Sequence, residues 1–317
     1  MATAALLTAP GRLEIVDDVE IEEPRAGEVR VRVEWCGVCH SDLHVLDDET
    51  PTAVTGGLLG HEVAGVVDVL GAGVTDLEVG DHVVVSMIGP CGDCEACFNG
   101  ATAACTRQYG RGGVAADGST RLSRGAAPIT RLLRVGGFVE YTVVQQECVV
   151  RISKELPLDL ATVLACSGQT GFGAVTNIAE VSAGDTIVVI GLGGVGLAAV
   201  QAARIAGATV ILGIDPIASR RALAERLGAT ATRAPQDVTA HLGAELAGPQ
   251  RFRHAIDTVS NAATLGMGAG LIGPGGTLVI LGVTAPTTPL EGLFTADLVL
   301  GQKRVLGCYL GSSIPRR

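Results

Sequence analysis

This 317-residue chain has no basic stripe. Its formal charge is −10, from 23 Lys and Arg against 33 Asp and Glu, which argues against nucleic acid as a partner. Arginine pairs such as Arg220-Arg221 read as solvated helix faces. A secretory signal is not expected, because Met1-Ala2-Thr3-Ala4-Ala5-Leu6-Leu7 has neither a basic start nor a long apolar core. Nor is a membrane span. The most apolar run, 187–203, carries Gly191, Gly193, Gly194 and Gly196, which suit a buried strand and helix. Internal repeats and low-complexity tracts are absent. Without a leader, the nine cysteines are expected as reduced thiols in the cytoplasm, acting as metal ligands or core residues and not as disulfides. What the chain does have is 47% apolar residues and 44 glycines, enough for two compact domains full of tight turns.

The first half reads as short strands. Residues 12–16 and the alternating 28–34 are strand-like, and 63–70 and 82–87 are β-branched runs separated by Gly71, Gly73 and Gly80-Asp81. Residues 106–137 read as a long loop rich in Gly, Arg and Ser, followed by strand character at 138–144. A helical stretch over 158–178 joins the halves. From Asp185 the rhythm changes to strand 186–190, turn 191–194, helix 195–206, strand 209–214 and helix 218–227 ending at Gly228. Strands at 254–259, 277–283 and 305–310, with a helix over 262–272, complete the alternation. This predicts an α/β half with a parallel, doubly wound sheet.

Cysteine is concentrated in the first half. Cys91, Cys94, Cys97 and Cys105 have the spacing C-x2-C-x2-C-x7-C. Four thiolates on one short loop can close tetrahedrally around zinc with no open position. Buried or redox-active thiols are the alternative, but Gly92, Gly100 and the polar neighbours offer little core. A second concentration runs from Trp35 through Cys36, Cys39, His40, Ser41, Asp42 and His44, and is answered by Gly60-His61-Glu62. Thiolate with imidazole selects zinc over hard cations, and Cys166 offers a further ligand. Taken singly these residues are weak signals. A lone helix cysteine is usually core, Cys36-x2-Cys39 also fits a redox dithiol, and His44 fits an exposed loop histidine.

Gly191, Gly193 and Gly196 follow an apolar strand and open a helix, the context in which G-x-G-x-x-G binds a dinucleotide pyrophosphate. Asp215 ends the next strand, where a carboxylate binds adenosine ribose hydroxyls and repels a 2′-phosphate, favouring NAD over NADP. A turn aspartate before Pro216 is the plainer reading of the same residue.

Taken together, these pieces resemble the zinc-dependent medium-chain alcohol dehydrogenases over nearly the whole chain. The matching pieces are Gly37-Val38-Cys39-His40-Ser41-Asp42, Gly60-His61-Glu62 with Gly65, the four-cysteine loop, Cys166-x3-Thr170-Gly171, and Gly191-Leu192-Gly193-Gly194-Val195-Gly196. The long loop with Asp117-Gly118-Ser119-Thr120-Arg121 is similar to the dimeric animal-type and glutathione-linked formaldehyde dehydrogenase classes. The resemblance implies a GroES-like catalytic domain over 1–153 holding both zinc sites, and a Rossmann NAD-binding domain over 154–317. It implies reversible oxidation of an alcohol to an aldehyde or ketone by hydride transfer to NAD, with the alkoxide at a catalytic zinc. Two zinc ions per chain are expected. Cys39, His61 and Cys166 would hold the catalytic zinc, with Cys91, Cys94, Cys97 and Cys105 on the structural one. Asp42 would orient the ligating imidazole and Glu62 would be auxiliary. Ser41 would receive the alcohol proton and pass it towards His44. By the same resemblance His40 lies near the pyrophosphate, Arg220 near the adenosine ribose, and Thr170, Val195 and Val283 near the nicotinamide. The Gly191, Gly193, Gly194 and Gly196 loop and Asp215 complete the cofactor set. A homo-oligomer, dimer or tetramer, through the coenzyme domain is implied, with a small alcohol or aldehyde as substrate.

The chain departs from the pattern at its end. It stops at Arg317, where family members usually continue with a segment returning to the first domain. The alternative expectation is therefore a truncated zinc- and nucleotide-binding chain with little or no turnover. A zinc-free quinone or enoyl reductase would lack the ligand set. For the substrate, Met87, Ile88, Leu132 and Leu133 suggest an apolar pocket, and no basic residue for a glutathione adduct stands out.

Overall fold

The computed structural model describes every residue except 48–54, 107–112, 116, 242–250, 284–288 and 315–317. The chain forms two compact units, Met1–Cys166 together with Ile314, and Ser167–Ser313.

The first unit is built from antiparallel strands in two five-stranded sheets. One sheet is ordered Gly57–Leu58, Ala2–Ala9, Arg12–Ile21, Leu122–Arg124, Ala127–Pro128. The other is ordered Val149–Arg151, His82–Val85, Glu62–Leu70, Glu28–Gly37, Tyr141–Gln145. Alternation explains the Glu28–Gly37 strand: Val29 and Val31 are buried while Arg30 and Arg32 turn outward to Asp68, Glu23 and Glu34. Its register brings Cys36 opposite Val63 and Gly37 opposite Glu62, so the stretches 36–44 and 60–62 meet at one sheet end.

The expected loop 106–137 contains more structure than its composition predicts. Leu122–Arg124 pairs with Arg12–Ile21 and with Ala127–Pro128. Arg121, buried, forms a two-pronged bond to buried Glu28, at 2.7 and 2.8 Å. A planar guanidinium fork on a carboxylate is a strong, directional contact. It supplies the anchor that turn-forming residues alone do not reveal.

The helical stretch also differs from a single helix. Helices Leu158–Val163 and Gln169–Gly173 alternate with wide π-helical turns, Leu164–Gly168 and Ala174–Ile178. Ala161 and Ala165 pack on Ala64 and Val84 of the antiparallel sheet, so residues 154–166 fall in the first unit, where the sequence reading put them with the second.

The second unit carries a six-stranded, wholly parallel sheet ordered Ala231–Arg233, Val210–Ile214, Thr186–Ile190, Phe252–Asp257, Ile272–Ile280, Arg304–Gly307. Thr186–Ile190 is buried on both faces: Ile187 and Val189 pack with the helix Gly194–Ile205, while Val188 and Ile190 pack with Leu265 and Ala269 of the helix Ala262–Leu271. A continuous apolar run is what a doubly covered strand requires. The chain crosses to one side of this strand and then to the other, so the sheet's switch point lies at its carboxyl end, at Gly191. No helix among the described residues is long and apolar enough to cross a membrane.

Candidate active site and metal centres

Asp42 ties three pieces of chain together. It lies on the short helix His40–Leu46 and is 2% exposed. One oxygen accepts the Cys39 amide at 3.0 Å. The other accepts the Gly60 amide at 3.0 Å and faces His61 Nδ1 at 3.3 Å. Nδ1 of His61 faces Asp42, so Nε2 points the other way, and that buried nitrogen has no hydrogen-bond partner among the described residues. Cys166 reaches the same point from the wide turn Leu164–Gly168. The ligand atoms of Cys39, His61, Glu62 and Cys166 all lie within 4.8 Å of one another.

So dense a cluster perturbs every member. A hydrogen bond from Cys166 outweighs burial and, with His61 adding, draws Cys39 down to about 3. The same bond, with burial, pushes the Cys166 thiol far above its ordinary range. Burial acts to lower His61, but Asp42 and the Cys39 thiolate lift it to about 10. Burial, followed by the Cys39 charge, raises Glu62 to about 7. These groups shift one another because several ionisable side chains crowd around one buried point. Two thiols, an orphaned imidazole nitrogen and a carboxylate fit zinc.

Ser41 lies beside this cluster, its Oγ 3.7 Å from Cys39 Sγ. His44 stands one helical turn further on, its ring edge-to-face with His40 at 4.9 Å between centroids. The second cysteine group sits around the short helix Glu95–Phe98, with all four sulfurs within 4.8 Å. Sulfur–sulfur distances of 3.5 Å (Cys94–Cys97), 3.5 Å (Cys91–Cys105), 3.7 Å (Cys94–Cys105) and 4.0 Å (Cys91–Cys97) fit zinc. Tetrahedral coordination with Zn–S bonds of about 2.3 Å spaces sulfurs about 3.8 Å apart.

In the second unit Gly191 turns with φ +86° and, after Leu192 and the N-cap Gly193, the helix Gly194–Ile205 begins. A Cβ on Gly196 would fall 1.8 Å from the Gly191 carbonyl oxygen, so only glycine fits. Asp215, 2% exposed, accepts the Leu192 and Ile217 amides, each at 2.8 Å. It is therefore part of the loop's own scaffold as well as a candidate ribose ligand. Arg220 approaches it at 3.6 Å, whereas Arg221 is engaged by the carbonyls of Asp215 and Pro216. Thr170 is buried on the helix Gln169–Gly173, whose Gly171 abuts the Val195 carbonyl. Val283 is exposed in the same unit, and His40 is exposed at the head of its helix in the first.

The proposed pocket residues are taken up by the core. Leu132 is core, packed with Leu7, Val45 and Leu59, and Leu133 lies against that cluster. Met87 and Ile88 are also buried. Sequence reasoning missed Arg134, held at φ +69°, whose guanidinium donates to the Met87 carbonyl at 3.3 Å. Nothing in its spacing announces it. The double use of Asp42, on the Cys39 and Gly60 amides as well as on His61, was equally hidden.

Comparison with known proteins leads to the same chemistry. Residues 25–154 match the alcohol dehydrogenase GroES-like domain, and 194–317 match the zinc-binding dehydrogenase family. The chain is 37% identical to an NDMA-dependent alcohol dehydrogenase of Amycolatopsis methanolica, across 99% of this chain and 85% of that one. Its structure is similar to benzyl alcohol dehydrogenase of Acinetobacter calcoaceticus (TM-score 0.90, 32% identity, 100% of this chain and 86% of that one). It is also similar to a zinc-binding dehydrogenase of Sinorhizobium meliloti bound to NADP (TM-score 0.83, 29% identity, 100% and 86%). With two thiolate clusters, a glycine-turn nucleotide unit and relatives matched across nearly its full length, this chain belongs to the zinc-dependent medium-chain alcohol dehydrogenases, whose members oxidise alcohols with a nicotinamide cofactor.

Proposed function

We propose that this chain oxidises alcohols reversibly to aldehydes or ketones with NAD, holding one reactive and one structural zinc. The observation that carries the reading is the quartet of half-buried Cys39 with buried His61, Glu62 and Cys166, in which His61 Nε2 has no protein partner among the described residues. Cys39, His61 and Cys166 are the ligands, Glu62 stands by, and Cys91, Cys94, Cys97 and Cys105 hold the second ion. When bound, zinc supplies Lewis acidity at the alcohol oxygen and NAD accepts the hydride. Asp42 keeps the His61 proton on Nδ1, so that Nε2 can ligate. Ser41 takes the alcohol's proton and His44, three residues on along the helix, hands it to solvent.

In the nucleotide unit the amides at the head of Gly194–Ile205, with Gly191, Gly193 and Gly196 clearing the approach, bind pyrophosphate. Thr170, Val195 and Val283 border the nicotinamide. Each Asp215 oxygen keeps a second lone pair for a ribose hydroxyl, while its charge repels a 2′-phosphate; Arg220 balances that charge. A second copy of the chain is the expected partner, through the coenzyme unit.

Elemental analysis should give two zinc ions per chain in the wild type and one in Cys166→Ala. That variant should lose turnover of benzyl alcohol by about a thousandfold or more. Asp215→Ala should weaken NAD binding by about ten- to a hundredfold and relax rejection of NADP. A zinc-replete wild type that binds NADH yet turns over no primary or secondary alcohol refutes the enzyme reading. A wild type that prefers NADP refutes the role given to Asp215.

A further inference from the structure

The peptide between Gly191 and Leu192 is gripped at both ends. Its N–H, on Leu192, donates to Asp215 at 2.8 Å. Its carbonyl, on Gly191, accepts from the Thr258 hydroxyl at 3.1 Å, and the same hydroxyl lies 3.0 Å from the Ile190 carbonyl. A hydroxyl has one proton, so two successive carbonyls share it. The Thr258 amide also donates to Ile190, at 3.0 Å.

Thr258 is itself firmly placed. It follows the strand Phe252–Asp257, and fully buried Asp257 accepts the Val259 and Ser260 amides, each at 2.9 Å. That carboxylate holds a turn tight enough to put Ser260 at φ +61°. Contact with the glycine loop is close: a Cβ on Gly191 would fall 2.3 Å from the Thr258 hydroxyl oxygen. A hydroxyl 3.0 and 3.1 Å from two carbonyls of a loop that must expose amides is well placed to decide which way those carbonyls turn.

We propose that Thr258 is a positioning residue for the dinucleotide. It holds the Ile190 and Gly191 carbonyls at its own hydroxyl, so that amides, and not carbonyl oxygens, face the pyrophosphate. Asp215 holds the other end of the same peptide, which makes the two side chains a pair acting on one plane. The inference rests on reading 191–196 as the dinucleotide loop.

The test is NADH affinity of the zinc-loaded full chain, by calorimetry or fluorescence titration. Thr258→Val keeps the branched shape and removes the proton; it should bind NADH about 10- to 30-fold more weakly. Thr258→Ser should stay within about threefold of wild type. In a cycle with Asp215→Asn, the double variant should lose less than the product of the single losses, because both hold one peptide. If valine there prevents folding, Thr258→Ala carries the same comparison. Wild-type affinity in the valine variant overturns the proposal, as does a serine variant as weak as the valine one, or a fully additive cycle. If the wild type binds neither NADH nor NADPH, the dinucleotide loop reading fails and this inference with it. Normal wild-type binding with an unaffected valine variant refutes Thr258 alone.

Discussion

His44, half-buried, is one helical turn from half-buried Ser41 and edge-on to exposed His40, while Asp42 between them is buried. As the proposed last proton carrier it should matter most where hydroxide is scarce. His44→Gln should therefore slow alcohol oxidation by about tenfold or more at acidic to neutral pH and much less at alkaline pH. A pH–rate profile overlaying the wild type removes it from the path. A second histidine bears on stability. His254, at the opposite end of the parallel sheet from Gly191, meets Asp185 at 3.1 Å, with Arg253 and Arg304 also near. Burial outweighs the Asp185 bond and holds its imidazole below the ordinary range. A depressed folded-state value means that the unfolded chain takes up a proton the folded one refuses. The stability it contributes is full above about pH 6.5 and is lost as pH falls from there through the folded value. Melting temperature should drop between pH 7 and 5.5, and His254→Asn should flatten that slope; an unchanged slope assigns the loss to other groups.

At the scale of elements, the cysteine lobe stands out because it has little else to hold it. The helix Glu95–Phe98 buries no residue, and Phe98 is 77% exposed. Its geometry depends on the four sulfurs. Cys94→Ala should bring the zinc content from two ions to one and open the segment 91–105 to amide exchange by about a hundredfold or more. The nucleotide unit should keep its protection. Equal exchange in variant and wild type would mean that the lobe holds its shape without metal. The wide turns flanking Gln169–Gly173 act by geometry alone: an extra residue per turn rotates the helix beyond it, and Cys166 rides on the first of them.

At the scale of the whole molecule, the parallel sheet ends in Arg304–Gly307, paired on one side only among the described residues. Beside it the helix Thr295–Gly301 leaves Val299 and Leu300 72% and 85% exposed, with Phe294 before it at 74%. An open strand edge next to apolar side chains invites self-association. Sedimentation should show a dimer or tetramer at micromolar concentration, and Leu300→Asp should shift it to monomer with NADH binding retained. A monomeric wild type places the oligomer reading in error.

Much of this protein was written locally in its sequence. Ligand spacing, the glycine turn after an apolar strand, and the change of period near Asp185 each span only a few residues, so short-range chemistry dictates them. They sufficed for the fold class. Tertiary structure decided what depends on residues far apart in the chain. Arg121 finds Glu28 and turns an expected loop into a strand pair. Ala161 and Ala165 pack on Ala64 and Val84, which moves the boundary between units past Cys166. Asp215 is consumed in part by Leu192, and Thr258 takes hold of the same peptide. Such contacts arise because a buried polar group must find a partner wherever the packed chain offers one, and only the packed chain determines where that is.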